Sequence, residues 1–187
     1  MQHSPLIRQY LKQLKSLSTD KKATVLDLAC GSGRNGLYLI ENGIPVTFAD
    51  VNSAAIEQVQ QLASMANTKQ QTDFWTIDFE QEGVAPLAGK FFTAILVFRY
   101  LHRPLFKQIK QAILPNGIII YETFTTAHAQ FGRPKNPDFL LKPGELVDIF
   151  SNWKILYSFE GIVESGNSDG SKQAIAQIVA IKPNSNG

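Results

Sequence analysis

Between residues 24 and 42 the hydrophobic pattern changes period, and three glycines fall at the change. Residues 24–29 have the near-continuous apolarity of a strand covered on both faces, and residues 34–42 carry apolar residues at helical spacing. Gly31, Gly33 and Gly36 lie at or just past the junction, where a missing side chain lets the backbone approach a ligand closely. Residues 45–50 then form a second strand ending in Asp50, about 20 residues on, where a carboxylate can accept hydrogen bonds from two ribose hydroxyls. The arrangement fits an adenosine-containing ligand. It leaves the nucleotide open, because Gly31-x-Gly33-x-x-Gly36 also satisfies the dinucleotide fingerprint.

Two further features separate the readings. Asp27 interrupts the apolar strand four residues before Gly31, and a buried charge there is costly unless it meets backbone donors or a cation. A ligand carrying an ammonium and a sulfonium gives that charge a purpose, whereas a pyrophosphate does not. The second feature is length. In 187 residues, about one domain's worth, no room remains after residue 122 for a second nucleotide half and a substrate domain, as a dehydrogenase requires.

The alternation of strand-length apolar runs with amphipathic stretches continues along the chain and predicts a parallel α/β architecture. Residues 5–17 form an amphipathic helix with Ile7, Tyr10, Leu11, Leu14 and Leu17 on one stripe. Gly43 stops the helix over 34–42, and Ser53 caps a helix through residue 67 whose core face is Ile56, Val59, Leu62 and Ala66. Strands follow over 73–77 and 92–98. Pro104 opens a helix bearing Leu105, Phe106, Ile109, Ala112 and Ile113, and Leu114-Pro115-Asn116-Gly117 turns into a fifth strand over 118–122. Residues 123–143 break the rhythm with three Pro, one Gly and four aromatic or His side chains, the composition of a long functional loop. A short helix over 145–150 precedes strands over 154–163 and 173–182, joined by turn residues 165–170. The tail, 183–187, is expected to fray.

Asp27-Leu28-Ala29-Cys30-Gly31-Ser32-Gly33, the strand-end Asp50, the pair Asp78-Phe79 and the Pro115-Asn116-Gly117 turn resemble the class I S-adenosylmethionine-dependent methyltransferases. Within them, Gly33-Arg34-Asn35-Gly36-Leu37-Tyr38-Leu39 is similar to the small tellurite-resistance-type subgroup. One departure is Asn116, where that superfamily commonly has a second glycine. The resemblance spans roughly residues 20–182 and implies a single domain over 1–187: a Rossmann-like, seven-stranded, mostly parallel sheet with helices on both faces and a C-terminal antiparallel hairpin. It also implies S-adenosyl-L-methionine as cofactor, with no metal. By position, Gly31 and Gly33 would pass under the methionine part, Asp27 would organise the loop and the cofactor's ammonium, and Asp50 would hold the ribose. Val51 would pack on adenine, and Asp78 with the backbone of Phe79 would read its edge, while Ala29, Arg34 and Phe98 complete the cofactor set. Cys30 is a small buried loop residue.

Methyl transfer from a sulfonium is an in-line displacement, so substrate residues are expected at the carboxyl ends of the fourth and fifth strands. There stand Arg99, Tyr100 and His102, with Glu122 on the neighbouring strand. His102 has the titration range of a general base; Arg99 and Tyr100 orient an anionic or polar acceptor, or pair with Glu122. Residues 123–143, with His128, Phe131, Arg133 and Phe139, are expected to close over the acceptor together with the N-terminal helix.

The function expected is methyl transfer to a small-molecule acceptor. Two alternatives stand beside it: a nucleic-acid methyltransferase using the four basic residues of 99–110, and a non-catalytic nucleotide-binding or NAD-binding module. A net charge of +2 argues against nucleic acid. The single Cys30, the lack of a leader-like start and the shortness of apolar runs such as 94–98 point to a cytoplasmic protein off the membrane.

Overall fold

The computed structural model describes residues 3–18, 23–66, 71–165 and 170–184. Four parallel strands open the sheet: β1 (Val25–Leu28), β2 (Val46–Asp50), β3 (Thr72–Thr76) and β4 (Phe92–Phe98). They are followed by β5 (Ile113–Phe124), β6 (Lys154–Glu164) and β7 (Lys172–Ile181). The order is β3-β2-β1-β4-β5-β7-β6. Pairings from β3 through β5 are parallel, and β7 inserts antiparallel between β5 and β6, so the expected hairpin closes the sheet. The chain reverses its direction of travel across the sheet between β1 and β4. Ligands of open α/β sheets sit at the carboxyl ends of strands at such a point.

Period-two alternation splits the core into two layers. Leu26 and Leu28 of β1, Ile95 and Val97 of β4 and Tyr121 of β5 face α5 (Phe106–Ala112), α6 (Glu145–Ile149) and the aromatic group Phe106, Phe150 and Trp153. Val25, Phe48, Leu96 and Ile120 face the opposite layer, which includes α1 (Pro5–Gln9), α2 (Leu11–Leu17), α3 (Arg34–Glu41) and α4 (Ser53–Met65). Asp27, two residues after Val25, falls on the α3 side.

Several elements differ from expectation. The N-terminal helix is broken at Tyr10 (φ −102°, ψ 12°), and Ser4 caps its first part, accepting from the Leu6 N–H. Asn52, not Ser53, caps α4 by accepting the Ala55 N–H at 3.2 Å. Leu62, expected in the core, is 42% exposed, because the buried face of α4 runs through Ile56, Val59, Ala63 and Ala66 and leaves Leu62 to one side. Ile113 begins a strand rather than ending a helix. The Leu114–Gly117 segment lies within β5 as an irregularity, with a register shift between Phe92 and Ala94 and Asn116 at φ 62°. Residues 67, 166–169 and 185–187 of the expected helix end, turn and tail lie outside the described residues.

Candidate functional site

β1 delivers the chain into a loop whose alternate residues are left-handed: Ala29 (φ 51°), Gly31 (φ 53°) and Gly33 (φ 68°). A Cβ on Gly31 would meet nothing within 4 Å, so this glycine supplies backbone conformation and leaves open space over the loop. Gly33 and Gly36 serve packing instead. A Cβ there would come within 2.7 Å of Val59 and 2.3 Å of Phe48, respectively.

Asp27 is 3% exposed, and its Oδ2 accepts the Gly36 N–H at 2.9 Å, tying β1 to the first turn of α3. Burial pushes its pKa up to about 7; the Gly36 bond and the Arg34 charge counter that rise, and Asp50 adds to it. Asp50 braces the loop from the neighbouring strand, with Oδ2 accepting the Gly31 N–H at 2.8 Å and Oδ1 the Asn52 N–H at 2.9 Å. Beside it, Val51 is 64% exposed, an apolar platform at the end of β2. Asp78, just past β3, is exposed and accepts the Glu80 N–H at 2.8 Å; the Phe79 ring is in the core, leaving only its backbone for a ligand. Ala29, Arg34 and half-buried Phe98 border the same edge of the sheet. The residues therefore fit the cofactor that the resemblance implies: open space over Gly31, a buried carboxyl beneath the loop, and an exposed apolar surface beside a strand-end carboxylate. Burial, then Asp27 and Asp50, push the Cys30 thiol well up, so it is an inert filler whose Sγ lies 3.8 Å from the Gly31 carbonyl.

One strand over, β4 ends in Arg99, itself left-handed at φ 60°, a conformation that costs about 1–3 kcal/mol in a non-glycine residue. Its N–H donates to the Glu122 carbonyl at 2.8 Å, its Nη2 lies 3.1 Å from Glu122 Oε1, and its guanidinium stacks 4.4 Å from the Phe124 ring centre. Glu122 is 5% exposed and also accepts from Gln177, so both its oxygens are engaged. Burial lowers the Arg99 pKa while Glu122 opposes that shift. Arg99, Tyr100, Leu101, Phe124 and Phe139, with Glu80, line a cavity of about 260 Å³. Arg99 Nη1 and Tyr100 Oη are buried with no hydrogen-bond partner among the described residues, a state that costs about 1–3 kcal/mol per group. Burial raises the Tyr100 pKa, and the Glu80 carboxylate adds to the rise. His102 is half-buried one step along the chain and does not line this cavity.

The loop after β5 is closed and pinned. Thr125 bridges Leu141, and Arg103, whose role the sequence did not disclose, grips it. The Arg103 guanidinium donates to the Asp138 and Leu140 carbonyls, each at 2.8 Å, and to Glu145 at 2.7 and 2.8 Å. The Glu145 bonds raise the Arg103 pKa and depress that of Glu145. His128 is 5% exposed and stacks on Phe124; Nδ1 accepts the Ala174 N–H, so Nε2–H donates to the Arg133 carbonyl. The N-terminal helices, expected over the acceptor, line no part of the cavity. They pin α3 instead, the Ser4 N–H donating to Asn35 Oδ1 at 2.9 Å and His3 stacking on Tyr38.

Sheet order, glycine loop and strand-end acids together define the class I S-adenosylmethionine-dependent methyltransferase fold. The model of the family described as tellurite resistance protein TehB matches residues 6–179, and the chain belongs to that family. Among solved structures it is similar to TehB from Haemophilus influenzae, with 22% identity and a TM-score of 0.72. That match covers 94% of this chain but 62% of the other, which is longer. It is also similar to an S-adenosylmethionine-dependent methyltransferase from Methanosarcina mazei (18% identity, TM-score 0.68, 98% and 99% covered). The N-methyltransferase NodS from Bradyrhizobium japonicum is a third (16%, 0.63, 96% and 98%). No curated protein matches in sequence.

Proposed function

We propose that this protein is a single-domain enzyme that transfers a methyl group from S-adenosyl-L-methionine to a small-molecule acceptor in the cytoplasm. The observation that carries the reading is the pairing of two sites on adjacent strand ends. The open glycine loop follows β1, the half-open cavity lined by Arg99 and Tyr100, each with an unpartnered donor, follows β4, and these strands pair directly. When bound, the cofactor supplies an electrophilic sulfonium methyl: the acceptor's lone pair forms the new bond, the C–S pair stays on sulfur, and a protonated acceptor gives up one proton.

The chain's own residues bind, orient and exclude water. Asp27 holds the ammonium side, Asp50 the ribose, and Val51 with Asp78 and the Phe79 backbone the adenine. Arg99 and Tyr100 meet the acceptor, Glu122 fixes the Arg99 guanidinium, and the loop seals the cavity. His102, the residue after the lining Leu101, serves acceptors that must lose a proton. The cavity's size favours a small acceptor. Three of the four cations of 99–110 are occupied internally, Arg99 by Glu122, Arg103 by Glu145, and Lys110 by the Ile149 carbonyl and Asn152, which argues against a nucleic-acid surface. Among the described residues no helix is long and apolar enough to cross a membrane.

Titration calorimetry with S-adenosylmethionine and with NAD tests the reading directly. Binding of the methyl donor alone, weakened more by Asp50→Ala than by His102→Ala, supports it. Binding of NAD alone overturns it, and a salt-sensitive RNA gel shift revives the nucleic-acid alternative.

A further inference from the structure

We propose that the occupant of the cavity beside Arg99 is a compact α-amino acid with an apolar side chain, taken as the zwitterion; this rests on the methyl-transfer reading and narrows its acceptor class. Arg99 Nη1 and Tyr100 Oη are buried donors without partners, and both residues line the cavity. A carboxylate accepts from both in charge-assisted bonds. A simple organic anion fits less well, because the Arg99 charge is already balanced by Glu122 at 3.1 Å and Glu80 adds a second carboxylate to the lining. An ammonium on the same molecule meets Glu80, so the zwitterion adds no net charge to a lining that already carries one carboxylate in excess. The remaining wall is mostly apolar, formed by Leu101, Phe124, Pro134 and Phe139 with Thr123 among them. At about 260 Å³ the space is below the roughly 300–1,000 Å³ of ordinary ligand pockets, which suits one amino acid and not a peptide or nucleotide. Phe139 belongs to the loop held by Arg103, so a pinned wall limits side-chain size on that side.

The test uses the full chain saturated with S-adenosylhomocysteine and a matched trio of probes in titration calorimetry: L-phenylalanine, 3-phenylpropionate and phenethylamine. L-phenylalanine is expected to bind at least tenfold more tightly than either partner, which lack its amino group and carboxylate in turn. Tyr100→Phe should weaken L-phenylalanine about tenfold, the loss of one hydrogen bond. Glu80→Gln should bring L-phenylalanine and 3-phenylpropionate within threefold of each other. Both variants are conservative and should keep their S-adenosylhomocysteine affinity; Arg99→Ala, which strands buried Glu122, is avoided. The proposal is overturned if S-adenosylhomocysteine binds but none of the trio does, or if 3-phenylpropionate or inorganic phosphate binds as tightly as L-phenylalanine. Failure of S-adenosylhomocysteine itself to bind removes the methyl-transfer reading, a different and separable result.

Discussion

On the proposed reading, Asp27 ties stability and cofactor binding to the same proton. Its pKa stands at about 7 in the folded chain against 3.8 for the free group. The unfolded chain therefore ionises first, and between those values it binds fewer protons than the native state. The stability contributed is full below pH 4 and is lost as pH rises through 7. About three pKa units at 1.36 kcal/mol each give about 4 kcal/mol. Asparagine in its place keeps an oxygen for the Gly36 N–H and cannot ionise. Asp27→Asn without ligand should accordingly melt on the order of 10 °C higher than wild type at pH 8, and close to it at pH 4. Binding should run the other way. A cationic ligand draws Asp27 into its charged form, so affinity should rise about tenfold per pH unit from 5 to 7 and level off above, with close to one proton released at the acid end. Asp27→Asn should bind weakly at every pH. Thermal melts across pH, and calorimetry in two buffers of different ionisation heat, measure both effects. Parallel melting profiles for the two proteins, or a wild-type affinity that ignores pH, would refute the assignment.

The glycines should separate packing from binding. Gly36→Ala drives a methyl into Phe48 and should cost about 1–3 kcal/mol in chemical denaturation, whereas Gly31→Ala meets open space, costs about 1–2 kcal/mol through its left-handed backbone, and should weaken cofactor binding out of proportion to that loss. His128→Ala strands the buried Ala174 N–H and frees the loop; it should cost about 2–4 kcal/mol and speed proteolysis between residues 126 and 141 while S-adenosylmethionine still binds. Cys30 should resist iodoacetamide in the native protein at pH 8 and react promptly in denaturant; fast native labelling would contradict its elevated pKa.

How far the sequence carried depended on the range of the cause. The parallel strands were legible because burial on both faces removes polar residues from them, and Asp27 was conspicuous as the exception. The break at Tyr10 was hidden because the apolar stripe runs through it unbroken: Leu6, Ile7, Tyr10 and Leu14 all stay buried. Leu62 fitted a spacing of three after Val59, but the buried face steps by four there, to Ala63. The Arg99–Glu122 pair could be anticipated, since parallel neighbours bring strand ends into register, here Phe98 opposite Glu122. The Arg103–Glu145 and Ser4–Asn35 contacts span 42 and 31 residues and depend on the path of irregular chain, which no period encodes.

Those long-range contacts determine how the acceptor side works. A 21-residue aperiodic segment reads as a lid, but here it is held by two Arg103 hydrogen bonds to its carbonyls, a backbone bridge and both nitrogens of His128. Opening it breaks the Arg103 bonds to the Asp138 and Leu140 carbonyls and unstacks His128 from Phe124, the same ring on which Arg99 rests. Loop position and Arg99 orientation are thus coupled through one aromatic ring. An occupant that engages Arg99 Nη1 holds the guanidinium on Phe124 and favours the closed loop, so water exclusion and recognition of the acceptor are one event rather than two.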